Sequence, residues 1–321
     1  MLTIGIDLGG TNIACGLVAD KKIIASRSKK TAMPRPAEAI ADDIAALAYE
    51  VTELAGCSFG EVEYVGVGVP GSVDPATGIV EYANNIDFIN VPLADMLGKR
   101  LKKSIYIEND ANAAALGEFT VDTDINVHGE KINNAVMVTL GTGIGAGMLM
   151  NGKIVSGLNF AAGEIGHTVI CFGGKPCNCG RRGCWEMYAS VTALVEQTRQ
   201  SMIEHPDSLM WQIAGNSLES VNGKTAFDGM RQNDKAATEV VQRYIEYVGC
   251  GIVNLVNTLE PDIVCIGGGI SKEGETLLAP IREILLRESY SRGSKRQPIL
   301  RAARLGNDAG ILGAAFLGMV K

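Results

Sequence analysis

The sequence has no run of about 18 uncharged apolar residues, the length a membrane-spanning helix needs. Its first ten residues, MLTIGIDLGG, lack the basic stretch and following apolar stretch of a secretory leader. No linker, single-sign charge run or low-complexity tract breaks the chain. Basic charge is not in excess: 29 Lys and Arg stand against 36 Asp and Glu, a formal net charge of −7. These absences argue against a membrane span, a secreted product and nucleic acid as the main partner. The expected compartment is the cytoplasm, where reducing conditions disfavour structural disulfides. Histidine is scarce, with three residues, so any histidine beside other metal-binding side chains carries weight.

What is present is apolar mass, glycine and cysteine. Hydrophobic residues make up 46% of 321 positions. That is ample for packed cores, and the length suits two lobes of about 150 residues each. The 39 glycines fall in tight groups between short apolar runs, where backbone turns sharply or approaches a ligand. Of eight cysteines, Cys15, Cys57, Cys250 and Cys265 sit in apolar or small-residue surroundings and are expected to be buried hydrophobes. Cys171, Cys177, Cys179 and Cys184 crowd one short stretch.

Alternating and apolar runs predict strands at 2–7, 13–18 and 23–27, with Gly9-Gly10-Thr11 turning between the first two. A helical pattern covers 36–55, a buried-type strand covers 63–69 and ends at Pro70-Gly71, and a strand at 104–107 leads into a helix at 110–119. Strands at 135–140 and 144–150 flank Gly141-Thr142-Gly143, and Asn151-Gly152 signals a hairpin into 153–156. Helices follow at 190–204 and 235–259. A strand at 262–266 runs into Gly267-Gly268-Gly269 and a helix reaching about 289. A strand at 299–303 and a helix at 308–320 close the pattern. The stretch 205–234 is polar and shows no clear period. Leu8-Gly9 lies over Leu140-Gly141, and Lys21 over Lys153, at one offset without a gap. The same strand–turn–strand–strand unit therefore occurs twice, which indicates an internal duplication.

Three glycine turns follow strands: Gly9-Gly10-Thr11-Asn12, Gly141-Thr142-Gly143 and Gly267-Gly268-Gly269. Without side chains in the way, successive N–H groups can point at phosphate oxygens, although each turn alone also reads as a tight hairpin. Neither the Walker pattern nor the dinucleotide pattern G-x-G-x-x-G fits them. Together they suggest a nucleotide gripped from both lobes. Asp7, beside the first turn, can hold Mg²⁺ through water or cap the turn. In Glu108-Asn109-Asp110-Ala111-Asn112, Asp110 reads either as a helix cap or as the general base that takes a proton from an attacking hydroxyl. Asn109 is placed to bond substrate hydroxyls.

Cys177, Cys179 and Cys184 lie within eight residues, and His167 lies ten before the first of them. Three thiolates and an imidazole make a closed zinc site. Cys171 is a possible substitute ligand, and a disulfide or free thiols are the alternatives. Glu164 and Glu186 flank the cluster, either as solvated acids or as acceptors for sugar hydroxyls on a rigid support.

The motif Cys177-x-Cys179-Gly180-x-x-Gly183-Cys184-x-Glu186, with Glu164-Ile165-Gly166-His167 upstream and Asp7-Leu8-Gly9-Gly10-Thr11 at the start, resembles the ROK family of sugar kinases, in the actin-like, hexokinase-like ATPase superfamily. The resemblance extends to the terminal helix. It implies an α/β, two-lobed actin-like ATPase (ribonuclease H-like) fold with a duplicated βββαβαβα core and a cleft between the lobes. Residues 1–118 with 309–321 would form one lobe, and 119–308, with the zinc site, the other. It implies ATP-dependent phosphorylation of a hexose, glucose at O6 foremost. N-acetylmannosamine, mannose, fructose and allose are the alternatives, and a non-catalytic sugar sensor is a more distant one. Asp110 would be the base. Gly9, Gly10, Thr11, Asn12, Gly141, Thr142 and Gly143 would hold the phosphates, Gly267, Gly268 and Gly269 would lie near the adenosine, and Asp7 would hold Mg²⁺. Gly71, Asn85, Asn109, Asp110, Glu164, His167 and Glu186 would bind the sugar. The family's Asn before a Leu-x-Trp pattern reads here Asn84-Asn85-Ile86-Asp87-Phe88, with Phe88 for Trp, so the sugar preference stays open. A structural Zn²⁺ would be held by His167, Cys177, Cys179 and Cys184, with the second ring nitrogen of His167 on the sugar. A homodimer or homotetramer is expected. The family's repressors carry an N-terminal helix-turn-helix, which has no counterpart before the strand at Leu2.

Overall fold

The computed structural model describes residues 1–121, 126–127 and 130–320. The chain opens with β1 (Leu2–Leu8), β2 (Asn12–Ala19), β3 (Lys22–Lys30), α1 (Ala37–Leu54) and β4 (Val62–Val69). β5 (Ser72–Asp74), β6 (Ile79–Ala83), β7 (Phe88–Val91), α2 (Leu93–Leu101), β8 (Ser104–Asn109) and α3 (Asp110–Val121) follow. Next come β9 (Asn126–Val127), β10 (Glu130–Lys131), β11 (Ala135–Leu140), β12 (Ile144–Met150) and β13 (Lys153–Ile154). The remainder is α4 (Glu186–Ala189), α5 (Val191–Glu204), α6 (Met210–Ile213), α7 (Thr225–Arg231), α8 (Lys235–Leu259), β14 (Ile263–Gly267), α9 (Glu275–Glu288), β15 (Ile299–Ala302) and α10 (Asp308–Phe316).

Two five-stranded sheets share one plan. The first runs β3-β2-β1-β4-β8 and the second β13-β12-β11-β14-β15. In the first, β1 pairs antiparallel with β2 and parallel with β4. β2 and β3 are antiparallel, and β4 and β8 parallel. In the second, β12 and β13 are antiparallel and β14 and β15 parallel. This repetition bears out the duplication and the α/β fold class. The Asn151-Gly152 turn has positive φ at both residues, 54° and 73°, as a two-residue hairpin requires.

The chain forms two compact units. One comprises Met1–Met137, Gly147–Gly163 and Arg304–Lys321, and the other Val138–Ala146 and Glu164–Ala303. In the first, α1 buries Ile40, Ile44, Leu47 and Val51 at helical spacing, against a sheet whose Ile4, Ile6, Val65 and Val67 are fully buried. Ala309–Phe316 of α10 are buried on every side. A Cβ at Gly313 would lie 1.6 Å from the Ala113 carbonyl, so α3 and α10 pack backbone to backbone. The buried Glu118 of α3 accepts the N–H groups of Arg304 and Leu305 at 2.8 and 3.1 Å, fixing the approach to α10. In the second unit, Trp185 is buried against Gly251 of α8, and its indole N–H donates to the Tyr247 carbonyl at 2.8 Å. That anchor ties the cysteine-rich segment to a long helix.

Several sequence expectations are corrected. The stretch 205–234 holds two short helices, α6 and α7, too brief to show a period. The sheet β5-β6-β7 was not foreseen, because its strands are three to five residues long. Cys15 and Cys265 are buried, but Cys57 and Cys250 are only partly so. The last helix ends at Phe316 and tightens into a 3-10 turn, Leu317–Met319. No helix among the described residues is long and apolar enough to cross a membrane.

Candidate active site

In the first unit, β1 carries Asp7 to its end, in register with Gly68 of β4. A Cβ at Gly68 would stand 3.3 Å from the Ala113 Cβ, a tight fit, so the bare glycine eases the first turn of α3 onto the sheet. Asp110 heads α3 but is not its main cap. The Asn109 Oδ1, still on β8, accepts from the N–H groups of Ala111 and Asn112 at 2.9 and 3.2 Å. Asn109 Nδ2 donates to the Gly71 carbonyl at 3.0 Å. Asp110 shares in the capping: its Oδ1 accepts from the Ala111 N–H at 2.8 Å, and its carboxyl also bonds to the Asn109 side chain. Burial raises the Asp110 pKa, and the Ala111 N–H opposes the rise. Burial, with a smaller push from the Asp110 charge, raises Asp7 to about 6. The buried Glu108 accepts from the Asn109 N–H and the Asn112 Nδ2 at 2.9 and 3.1 Å, steadying the strand-to-helix junction.

The first glycine turn closes through Gly9 N–H to the Asn12 carbonyl at 2.9 Å. The buried Thr31 clamps it: its hydroxyl donates to the Gly9 carbonyl at 2.6 Å and its N–H to the Thr11 carbonyl at 2.9 Å. A Cβ at Gly10 would come 2.9 Å from the Asn85 carbonyl, so the turn lies directly against Asn85. Asn85 is exposed, on a short turn anchored by the buried Ile86 and Phe88. The unit thus pairs Gly10 with Asn85, and brings Asn109 to Gly71 and to Asp110, and Asp110 to Asp7.

The second unit gathers the other predicted residues. Gly141 N–H donates to the Gly143 carbonyl at 3.0 Å, and α5 braces this turn through the Val191 N–H to the Gly141 carbonyl and the Thr192 hydroxyl to the Thr142 carbonyl, both 2.8 Å. Gly268, at φ 89°, sits where a Cβ would lie 2.1 Å from the Leu140 carbonyl, so the second and third glycine turns are neighbours. Glu186 joins this turn to the cysteines. A Cβ at Gly143 would meet its Oε2 at 2.6 Å, Oε2 accepts from the Ile144 N–H at 3.3 Å, and Oε1 lies 3.5 Å from the Cys177 Sγ.

The Nδ1 of His167 lies 3.6 Å from the Cys177 Sγ, and the Sγ atoms of Cys179 and Cys184 are 3.6 Å apart. The ligand atoms of His167, Cys177, Cys179 and Cys184 all lie within 4.8 Å of one another. Tetrahedral bonds of about 2.3 Å to sulfur and 2.0 Å to nitrogen would place neighbouring ligand atoms about 3.5–3.8 Å apart, so this donor set fits zinc. The Nε2 of His167 is turned to Glu164, 3.9 Å from its Oε2. Cys171 is outside the group, and its side chain bonds to Tyr188 instead. A cavity of about 430 Å³ on this unit, lined by Lys175, Gln197, Ser201, His205 and Arg243 among others, holds none of the predicted residues.

Sequence reasoning missed Gly68, Thr31 and Gly310, a residue of α10 whose Cβ would strike the Asp7 carboxylate. Only Gly310 gave a signal, being one of two glycines inside a short apolar helix.

The sequence model of the ROK family matches residues 3–320. The chain belongs to the ROK family. Over 316 residues it is 38% identical to the glucokinase of Thermotoga maritima, covering 98% of this chain and 96% of that one. It resembles the crystal structure of a ROK family glucokinase from Streptomyces griseus in complex with glucose and AMPPNP, with a TM-score of 0.78, 35% identity and 99% coverage of each chain. It resembles the ROK hexokinase of Thermus thermophilus with a TM-score of 0.78 and 30% identity, over 99% of this chain and 97% of that one. The two-lobed, actin-like architecture of the family is the fold of this ROK protein.

Proposed function

We propose that this ROK protein transfers the γ-phosphoryl group of ATP to a hexose hydroxyl, with glucose as the sugar and O6 as the attacking atom. The observation that carries the reading is Asp110. It heads α3 beside Asp7, its half-buried carboxyl is raised by desolvation, and Asn109 does most of the capping. A carboxylate that shares the capping with its neighbour and is raised by burial is suited to accept a proton from an attacking hydroxyl. The similarity to glucokinases over nearly the whole chain supports glucose.

In this reading Asp110 orients the attacking hydroxyl and takes its proton. Gly71, Asn85, Asn109, Glu164, His167 and Glu186 hold the other hydroxyls, His167 through Nε2. Gly9–Asn12 and Gly141–Gly143 present N–H groups to the phosphates, and Gly267–Gly269 serve the adenosine. Asp7 would hold Mg²⁺ through water, and a carboxyl raised by burial and by a like charge gains from a cation. Magnesium, when bound, neutralises charge on the transferring phosphates. His167, Cys177, Cys179 and Cys184 would hold zinc in a closed four-ligand site, which would stiffen the segment that carries Glu164, His167 and Glu186. A cytoplasmic homodimer or homotetramer goes with this reading, and the net charge of −7 agrees with a partner set that lacks nucleic acid.

The test is an ADP-coupled assay with ATP and Mg²⁺ across glucose, mannose, fructose, allose, N-acetylglucosamine and N-acetylmannosamine. A kcat/KM for glucose at least about tenfold above the others, about 1.4 kcal/mol, is the expected result. Faster turnover of another sugar keeps the chemistry and replaces the substrate. Absence of turnover with every sugar refutes the kinase reading.

A further inference from the structure

We propose that Gly310 is a positioning residue for phosphoryl transfer, because its missing side chain is what allows the Asp7 carboxylate to stand beside Asp110. The inference rests on the kinase reading above. Glycine inside a helix is less stable than alanine, so its presence there needs a reason. Gly310 is the third residue of α10. A Cβ built on it would lie 2.6 Å from the Asp7 Oδ2, 2.7 Å from its Cγ and 3.1 Å from its Cβ. The two contacts to the carboxylate, both under 3 Å, cannot persist, so either the helix or the carboxylate must move.

The helix cannot. Its backbone is pinned against β1, where a Cβ at Gly5 would lie 1.8 Å from the Ile311 carbonyl. It is pinned against α3 at Gly313, 1.6 Å from the Ala113 carbonyl by the same measure. The buried Tyr64 hydroxyl holds the Ala315 carbonyl at 2.8 Å. The Asp7 backbone is equally fixed, paired with Ala14 on one side and Gly68 on the other. What remains free to move is the Asp7 side chain. An alanine at 310 therefore turns the Asp7 carboxylate out of its place while leaving the sugar-binding residues untouched.

The test is a double-mutant cycle in the full chain with Gly310→Ala, Asp7→Ala and the pair, read by urea denaturation and by steady-state kinetics. Gly310→Ala is expected to lower kcat, counted per folded molecule from the circular dichroism of the same samples, by at least about tenfold with the hexose KM within about twofold; the count is needed because a loss of folded protein alone also lowers apparent kcat at unchanged KM. It is expected to lower the denaturation midpoint in the wild-type background, and most of that loss should vanish when Asp7 is already alanine. If Gly310→Ala does not fold, cooperative unfolding of the double variant supports the proposal, and failure of the double variant to fold overturns it. An active wild type with kcat unchanged in Gly310→Ala overturns the proposal and leaves the kinase reading standing, as does an equal midpoint loss in both backgrounds. A wild type inactive on every hexose overturns the kinase reading itself, and the role of Gly310 with it.

Discussion

Asp7→Asn should make the protein more stable at neutral pH and less active. Burial and the neighbouring Asp110 raise the Asp7 carboxyl from 3.8 to about 6. In the unfolded chain the group loses its proton near its ordinary value, whereas in the folded protein it keeps it until pH about 6. Between these values the folded state holds more protons, so stability falls as pH rises. Above pH 6 the folded protein carries the full deficit of a buried charge, about 2.2 units at 1.36 kcal/mol each, or about 3 kcal/mol. Asparagine has nearly the same shape and cannot ionise. The variant should therefore gain up to about 3 kcal/mol at pH 7.5 and only about 0.5 kcal/mol at pH 4, where the folded carboxyl is neutral and the unfolded one is about three-fifths ionised. Urea denaturation at the two pH values, without nucleotide or magnesium, measures the difference. No gain at pH 7.5, or the same gain at both, would refute the burial argument. Lost activity beside gained stability is the trade expected where a site holds a charge against its own preference.

Two further outcomes test the site. Asp110→Asn should cut kcat by about 10²–10⁴-fold while the hexose KM holds and the melting temperature does not fall, because Asn109 keeps α3 capped and a desolvated charge is removed. Turnover kept within a few-fold would remove Asp110 as the base. Metal analysis of purified protein should find about one zinc per chain. Cys177→Ala should lose that zinc, raise the hexose KM and reduce stability. Releasing a closed span from His167 to Cys184, 18 positions counted inclusively, gives about 3 kcal/mol by loop closure. Metal-free, fully stable wild type would contradict the zinc assignment.

The parts of this molecule that could be read beforehand are those encoded by residues near one another. The duplicated strand–turn–strand unit, the 235–259 helix and the His167–Cys184 cluster each show as a local pattern, and each is present. Short elements failed for the same reason in reverse. β5, β6 and β7 have too few residues to display alternation, and α6 and α7 too few for a helical period. At the candidate site, Asp110 stood out, but the division of labour with Asn109 did not. Both side chains can cap a helix, and only the fold shows that they share the Ala111 N–H while Asn109 alone reaches Asn112. Thr31 acts on Gly9 across 22 positions and no local pattern marks it; Gly310 shows as a glycine inside a helix, but Asp7, its partner, lies 303 positions away.

Because α10 follows residues 164–303 in the chain yet packs into the core of the first unit, synthesis and structure are out of order. The second unit has all its residues once position 303 is made, while the first waits for the last stretch of chain. Until then β1 and β4 lack the helix that covers them. Domains tend to fold as they emerge, and uncovered apolar sheet is prone to aggregate. This half of the molecule must therefore be finished after translation has passed it, and a nascent chain stalled before Asp308 would expose the strand that carries Asp7.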